Sequence, residues 1–222
     1  GPLPLPGAVW FYVVLCTWIF FFITFNIESI NRWISAGIPF FLLLLIVVYR
    51  LACRCLAWME GLSLVFFALA GIAVITGYTA FENWGAEIGF ATFGSIFLVT
   101  VFLKTPLMVD YFKWTTNKRV WTTSLFLHPL TAITLCLGWF FIVMGIIQTL
   151  ANLWQGTKTP LAIVGYALCV PFMAFTFWYG KGADKRRFVW EKSLARMRWG
   201  AGVGLVAAVA ILAVLLSGIL KP

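Results

Sequence analysis

The chain has one histidine, His128, and only seven acidic residues among 222. A single histidine excludes haem held by two histidines of one chain, and it excludes zinc sites built on paired histidines. The five cysteines, Cys16, Cys53, Cys55, Cys136 and Cys169, are an odd set within or beside apolar runs. Cys53-Arg54-Cys55 is a C-x-C, not the C-x-x-C of redox and zinc sites. The cysteines read as small apolar packing residues, with palmitoylation of the Cys53/Cys55 pair as the alternative. No G-x-x-x-x-G-K-[ST] occurs, so apparatus for nucleotide hydrolysis is missing. No lysine lies mid-span to form a retinal Schiff base. A Ser-His-Asp set would have to recruit His128 and Asp110 without a nucleophile elbow. No catalytic set, metal or cofactor is therefore expected.

Charge is also scarce. Only 10% of residues are charged and 63% are hydrophobic, against roughly a quarter charged in soluble chains. A soluble domain this short cannot hide so much apolar surface. The bilayer is therefore the solvent and the first partner. The net charge of +9 would suggest nucleic acid in a soluble protein. Here it reads as loop charge near anionic headgroups, at about 1 kcal/mol per cation, and no nucleic-acid partner is expected.

What the chain does have is long apolar runs. Seven segments stand out: about 9–25, 34–49, 56–81, 88–103, 131–154, 161–179 and 200–220, against the roughly 20 residues a spanning helix needs. The second is short and contains Pro39. The opening Gly1-Pro-Leu-Pro-Leu-Pro-Gly has no basic n-region, so the first run is expected to be a retained span. Of 16 Lys and Arg residues, 13 fall in Arg50–Arg54, Lys104–Arg119 and Lys181–Arg198. Lys/Arg-rich loops stay cytoplasmic. The expectation is an all-α polytopic transmembrane helical bundle of about seven spans, N-terminus cytoplasmic, forming a single domain over residues 1–222. Trp33, Trp84, Trp154 and Tyr179 fall at expected interfaces, and residues 82–87 are expected as a short outer loop.

Ionisable residues in membranes are costly and are functional candidates. Glu60, at the start of the third span, lies near Arg50 and Arg54 in sequence. It reads either as an interfacial ion pair or as a carboxylate at the mouth of a cation path. Lys104, Pro106 and Asp110 lie in the second basic stretch, where Pro106 should end or kink the fourth helix. Residues 107–114 could lie in the interface as an amphipathic segment. Asp110 reads as a local ion pair and His128 as an interfacial residue at the fifth helix start. Lys181–Arg198 interleaves basic and aromatic residues and suits anionic headgroups. Gly200 and Gly204 form a small-xxx-small pattern, through which the last helix could approach a partner helix. Thr76, Tyr78, Thr92, Ser95, Thr100, Gln148 and Thr176 are too few to line a wide aqueous pore.

From about residue 38 to 181, the chain resembles the bacterial intracellular septation protein A family of inner-membrane proteins. The residues that carry the likeness are Tyr49-Arg-Leu-Ala-Cys-Arg, the run Met-Glu-Gly-Leu-Ser-Leu-Val-Phe-Phe-Ala-Leu-Ala-Gly from Met59, Glu82-Asn-Trp, Leu103-Lys-Thr-Pro-Leu-Met, Trp121, and Gly-Trp-Phe-Phe-Ile-Val-Met-Gly from Gly138. The resemblance implies a non-enzymatic multi-pass protein of the inner (plasma) membrane, with a role in cell-envelope organisation. Lys104, Pro106 and Leu107 would be its motif positions. The additional aromatic span at the start and the basic, Gly/Ala-rich end depart from the family. A small transporter or channel with Glu60 at its cytoplasmic mouth, and a lipid-modifying enzyme using Asp110 and His128, stand as alternatives.

Overall fold

A computed structural model describes residues 7–154, scattered positions between 164 and 178, and residues 190–220. Among the described residues every regular element is helical. Helix α1 is Gly7–Phe25, α2 is Arg32–Ala52, α3 is Trp58–Thr76 and α4 is Thr79–Phe102. A short α5, Leu107–Phe112, precedes two single turns of 3-10 helix. Helix α6 is Ser124–Leu153 and α7 is Trp190–Leu216. Six of these, α1 to α4, α6 and residues 193–216 of α7, are long and apolar enough to cross a membrane. The chain is an all-α, multi-pass membrane bundle. The expected sixth span, with Tyr179, Thr176, Cys169 and Lys158, lies largely outside the described residues, as does the first part of the third basic stretch.

Helix α4 is the centre of the bundle. Its spanning window is 78% buried, against 22–44% for the other five, although its mean hydropathy of 1.6 is the lowest of the six. Small residues explain the inversion, because they let helices approach closely in membranes. Gly85 and Gly89, one turn apart, receive the rings of Phe25 and Phe21 from α1. On another face, a Cβ on Gly94 would stand 2.7 Å from the Gly138 carbonyl oxygen of α6, and one on Gly138 would stand 2.6 Å from Leu98 Cδ2. A Cβ on Gly204 of α7 would run into Leu98 and Trp139, whereas Gly200 makes only ordinary contact with Leu135. The Trp139 indole also donates to the Gly200 carbonyl at 3.1 Å.

Aromatic rings fill the space between α1, α3 and α4. Trp18 is wholly buried and stacks on Phe66 and Phe93, with centroids 4.7 and 4.4 Å away. Its indole nitrogen donates to Ser63 Oγ at 2.8 Å. Phe22 stacks on Phe90 at 3.9 Å. Such pairs add about 0.5–1.5 kcal/mol beyond area burial.

Two sequence expectations, the outer loop at 82–87 and the interfacial place of Trp84, need correction. Residues 82–87 are not an outer loop. They lie inside α4, where Trp84 (φ −124°, ψ 18°) marks a kink, and Trp84 is 1% exposed rather than interfacial. The α3–α4 connection is instead Gly77-Tyr78, with Gly77 left-handed at φ 62°. There the Tyr78 N–H bonds the Ala73 carbonyl at 2.9 Å, closing α3 as glycine allows. Residues 107–112 form α5, whose Leu107 and Tyr111 are wholly buried against the bundle while Trp114 beyond it is exposed. Pro106 follows the end of α4, as expected, and sits at the N-cap of α5. Helix α7 begins at Trp190, ahead of the last apolar run expected at about 200–220.

Gly94→Ala should destabilise the bundle by about 1–3 kcal/mol, because its clash is with backbone. Gly61→Ala, where nothing lies within 4 Å, should be neutral or mildly stabilising. Thermal unfolding of both variants in detergent measures the contrast.

Candidate functional site

The clustered basic residues are brought together partly by helix endings of one kind. After α2, the Cys55 N–H bonds the Arg50 carbonyl and the Arg54 N–H bonds the Leu51 carbonyl, both at 3.0 Å. After α4, the Thr105 N–H bonds the Thr100 carbonyl at 2.9 Å and the Lys104 N–H bonds the Val101 carbonyl at 3.1 Å. Each is a Schellman closure with a left-handed residue just past the helix. Those residues are Arg54 (φ 55°) and Lys104 (φ 63°). Both are exposed, and a cation there complements the carbonyl end of the helix dipole.

Arg50, in the last turn of α2, turns inward. Its Nε stands 2.8 Å from Glu60 Oε1, and neither side chain has any solvent exposure. Glu60 is placed by the start of α3. Its Oε2 accepts the Ala57 N–H at 3.0 Å, the carboxylate half of a capping box. The Tyr111 hydroxyl of α5 donates to Glu60 Oε1 at 3.3 Å. Burial first, then the Glu60 charge, hold the Tyr111 phenol well above its usual value, so it remains a donor. The Arg50 guanidinium carbon lies 5.6 Å from the Trp10 ring centroid and 5.7 Å from that of Tyr111. Four helices thus meet around one ion pair.

Tyr111 reaches this point because α5 is pinned beneath the bundle. Thr100 Oγ1 accepts the Leu107 N–H at 3.1 Å, and Thr134 Oγ1 accepts the Met108 N–H at 3.4 Å. Pro106 supplies the extended N-cap from which α5 starts (φ −55°, ψ 132°). Lys104 stays on the surface just before it.

Asp110 and His128 take separate partners. Asp110 Oδ1 meets Lys113 Nζ at 3.2 Å, three residues along and partly exposed. His128, inside α6 and 3% exposed, has its Nε2 at 3.1 Å from Ser193 Oγ of α7. It is buried at a helix contact near the start of α6.

The sequence reading passed over Glu87. This residue is 2% exposed and its Oε1 accepts from Asn152 of α6. The Gly85 and Gly89 spacing was the available signal, since small residues four apart form a close-packing face on a spanning helix. Trp10 and Tyr111 were also passed over, because nothing local in sequence ties them to Arg50.

The geometry engages both Glu60 oxygens, Oε2 with one backbone donor and Oε1 with Arg50 and Tyr111. Such a carboxylate fixes structure. Comparison with family models, with curated proteins and with solved structures finds no match.

Removing one partner of a buried pair leaves the other charge stranded, at about 3–5 kcal/mol. Glu60→Ala should therefore lower stability by that order. Replacing Arg50 and Glu60 together with methionine should cost much less than the sum of the single changes, as read by a double-mutant cycle of detergent unfolding.

A second expectation concerns the two neighbouring thiols. Cys53 is exposed and Cys55 buried. Burial pushes the Cys55 thiol up, against a smaller opposing effect of Arg50, and Cys55 Sγ donates to the Arg50 carbonyl at 3.5 Å. A raised value keeps the thiol protonated to higher pH, so the reactive thiolate is scarcer. With the other cysteines replaced by serine, maleimide at neutral pH should label Cys53 at least about tenfold faster than Cys55. Equal rates would contradict this placement.

Proposed function

We propose that the chain is a non-enzymatic multi-pass protein of the bacterial inner membrane that serves cell-envelope organisation by holding lipid in the plane of the bilayer. A groove of about 570 Å³ between α3, α4 and α7 carries this reading. Its walls include Phe66 and Ala70 of α3, Ile88 and Ile96 of α4, and Leu205 and Leu212 of α7. The volume falls in the range of ligand sites, roughly 300–1,000 Å³.

The few polar groups in the groove are already occupied. Thr92 donates to the Ile88 carbonyl at 2.8 Å and Ser95 to the Ala91 carbonyl at 2.7 Å. The Tyr78 hydroxyl donates to the Leu216 carbonyl, tying the α3–α4 turn to the end of α7. A polar solute entering here would lose its hydration and gain few partners, which is costly. An acyl chain loses nothing on entering. The resemblance of residues 38–181 to septation protein A supports the envelope setting. The gathering of Arg54, Lys104 and Arg198 at one end supports a cytoplasmic orientation of that end.

Filling the groove tests the reading. Ala73→Phe should reduce co-purifying lipid several-fold, read by lipid mass spectrometry. In cells, deletion should alter shape, division or envelope permeability, and the phenylalanine variant should fail to restore it. Unchanged lipid content, together with a silent deletion, would remove the proposal.

A further inference from the structure

Away from the groove, the ion pair of Arg50 and Glu60 leaves several donors unused. The Arg50 Nη1 and Nη2 atoms are buried and have no acceptor among the described residues. Trp10 Nε1 is in the same condition, on a ring whose centroid is 5.6 Å from the guanidinium carbon. This is a cluster of donors only, since neither a guanidinium nor an indole N–H can accept a hydrogen bond. The neighbouring acceptors are already engaged. Glu60 Oε2 takes the Ala57 N–H, Glu60 Oε1 takes the Tyr111 hydroxyl and is ion-paired with Arg50 Nε at 2.8 Å, and the Arg50 carbonyl takes the Cys55 N–H and thiol. Buried donors as strong as these are ordinarily satisfied.

We infer that Arg50 and Trp10 form a seat for a phosphate group, supplied by the headgroup of an anionic lipid. Phosphate oxygens would accept from the Nη1/Nη2 fork of Arg50 and from Trp10 Nε1. The planar fork matches two oxygens of one phosphate better than it matches a single-atom anion. The location fits as well. Arg50 lies in the last turn of α2 and Trp10 in the first turns of α1, where spanning helices meet the headgroup layer and tryptophan N–H groups commonly face it. Arg54, exposed in the adjoining turn, adds a second cation and offsets the negative charge of Glu60. Access is short: Trp10 stacks on Tyr49 at 5.4 Å, and Tyr49 is 38% exposed. The seat belongs to α1 and α2 and the groove to α3, α4 and α7, so this inference goes beyond the groove proposal and either can fail without the other.

Native mass spectrometry of the full chain tests it. The probes are phosphatidylglycerol, diacylglycerol of the same acyl chains, and inorganic phosphate. In the Ala73→Phe background, which closes the groove, the protein should retain phosphatidylglycerol and not diacylglycerol. Trp10→Phe removes one donor and keeps a ring, and should weaken retention roughly tenfold. Arg50→Lys keeps a cation for Glu60 but removes the fork, and should weaken retention similarly. It serves as the second variant if the first does not fold. Diacylglycerol bound as well as phosphatidylglycerol, or retention unchanged in either folded variant, would overturn the seat. Binding of inorganic phosphate without phosphatidylglycerol would overturn the lipid as its source.

Discussion

A guanidinium and a carboxylate 2.8 Å apart, both wholly withdrawn from solvent, set how one end of this bundle is assembled. Neither charge could be buried alone, because an isolated buried ion costs far more than a fold can supply. Each must therefore bring its partner. Arg50 comes from the last turn of α2 and Glu60 from the first turn of α3, so the turn between them is held in one shape. The Tyr111 hydroxyl then requires α5 to fold back under the spans, and the Trp10 ring requires α1 to start beside α2. Hydrophobic attraction does little to order helices within lipid, whose chains are as apolar as the side chains. A buried polar contact of this kind specifies which helix ends meet.

The remainder of the bundle is ordered by shape. Helix α4 takes the centre because glycine at positions 85, 89 and 94 lets α1 and α6 approach, and the phenylalanines of α1 fill the space so made. The two devices complement each other. The ion pair fixes neighbours at the basic end, and the glycine contacts fix spacing along the spans. Hydroxyls such as Thr92 and Ser95 bond to their own helices and take no part in either.

Much of the architecture was legible from residue types. The apolar runs and the clustered Lys and Arg residues identify spans, and even the run containing Pro39 forms a full helix, Arg32–Ala52. The failures share a physical cause. Residues 82–87 looked like a loop because acids and a tryptophan suit an interface, but Glu87 is buried against Asn152, so tertiary pairing outweighed local polarity. Residues 107–114 looked like a surface segment because apolar and polar residues alternate there. The Thr100 and Thr134 hydroxyls tie the start of α5 to α4 and α6, and Thr134 lies far from it in sequence. The proximity of Glu60 to Arg50 was visible ten residues apart. Their complete burial was not, because it depends on Trp10 and Tyr111, which arrive from distant parts of the chain.

The placement of Glu60 also bears on which functional class the fold suits. A carboxylate at the mouth of a cation path must exchange partners as ions pass, so it needs loosely held acceptor sites and water. Glu60 has a backbone donor on one oxygen, an arginine and a tyrosine on the other, and no exposure. Opening it would cost several kcal/mol by the same reasoning that makes breaking a buried pair expensive. The adaptable surfaces lie elsewhere. The groove of α3, α4 and α7 presents apolar walls whose hydroxyls are already bonded, and the Arg50–Trp10 cluster presents donors that lack acceptors. An acyl chain complements the first and a phosphate complements the second. Phospholipid is a ligand class that carries both, and it is the solvent in which a chain of this composition resides.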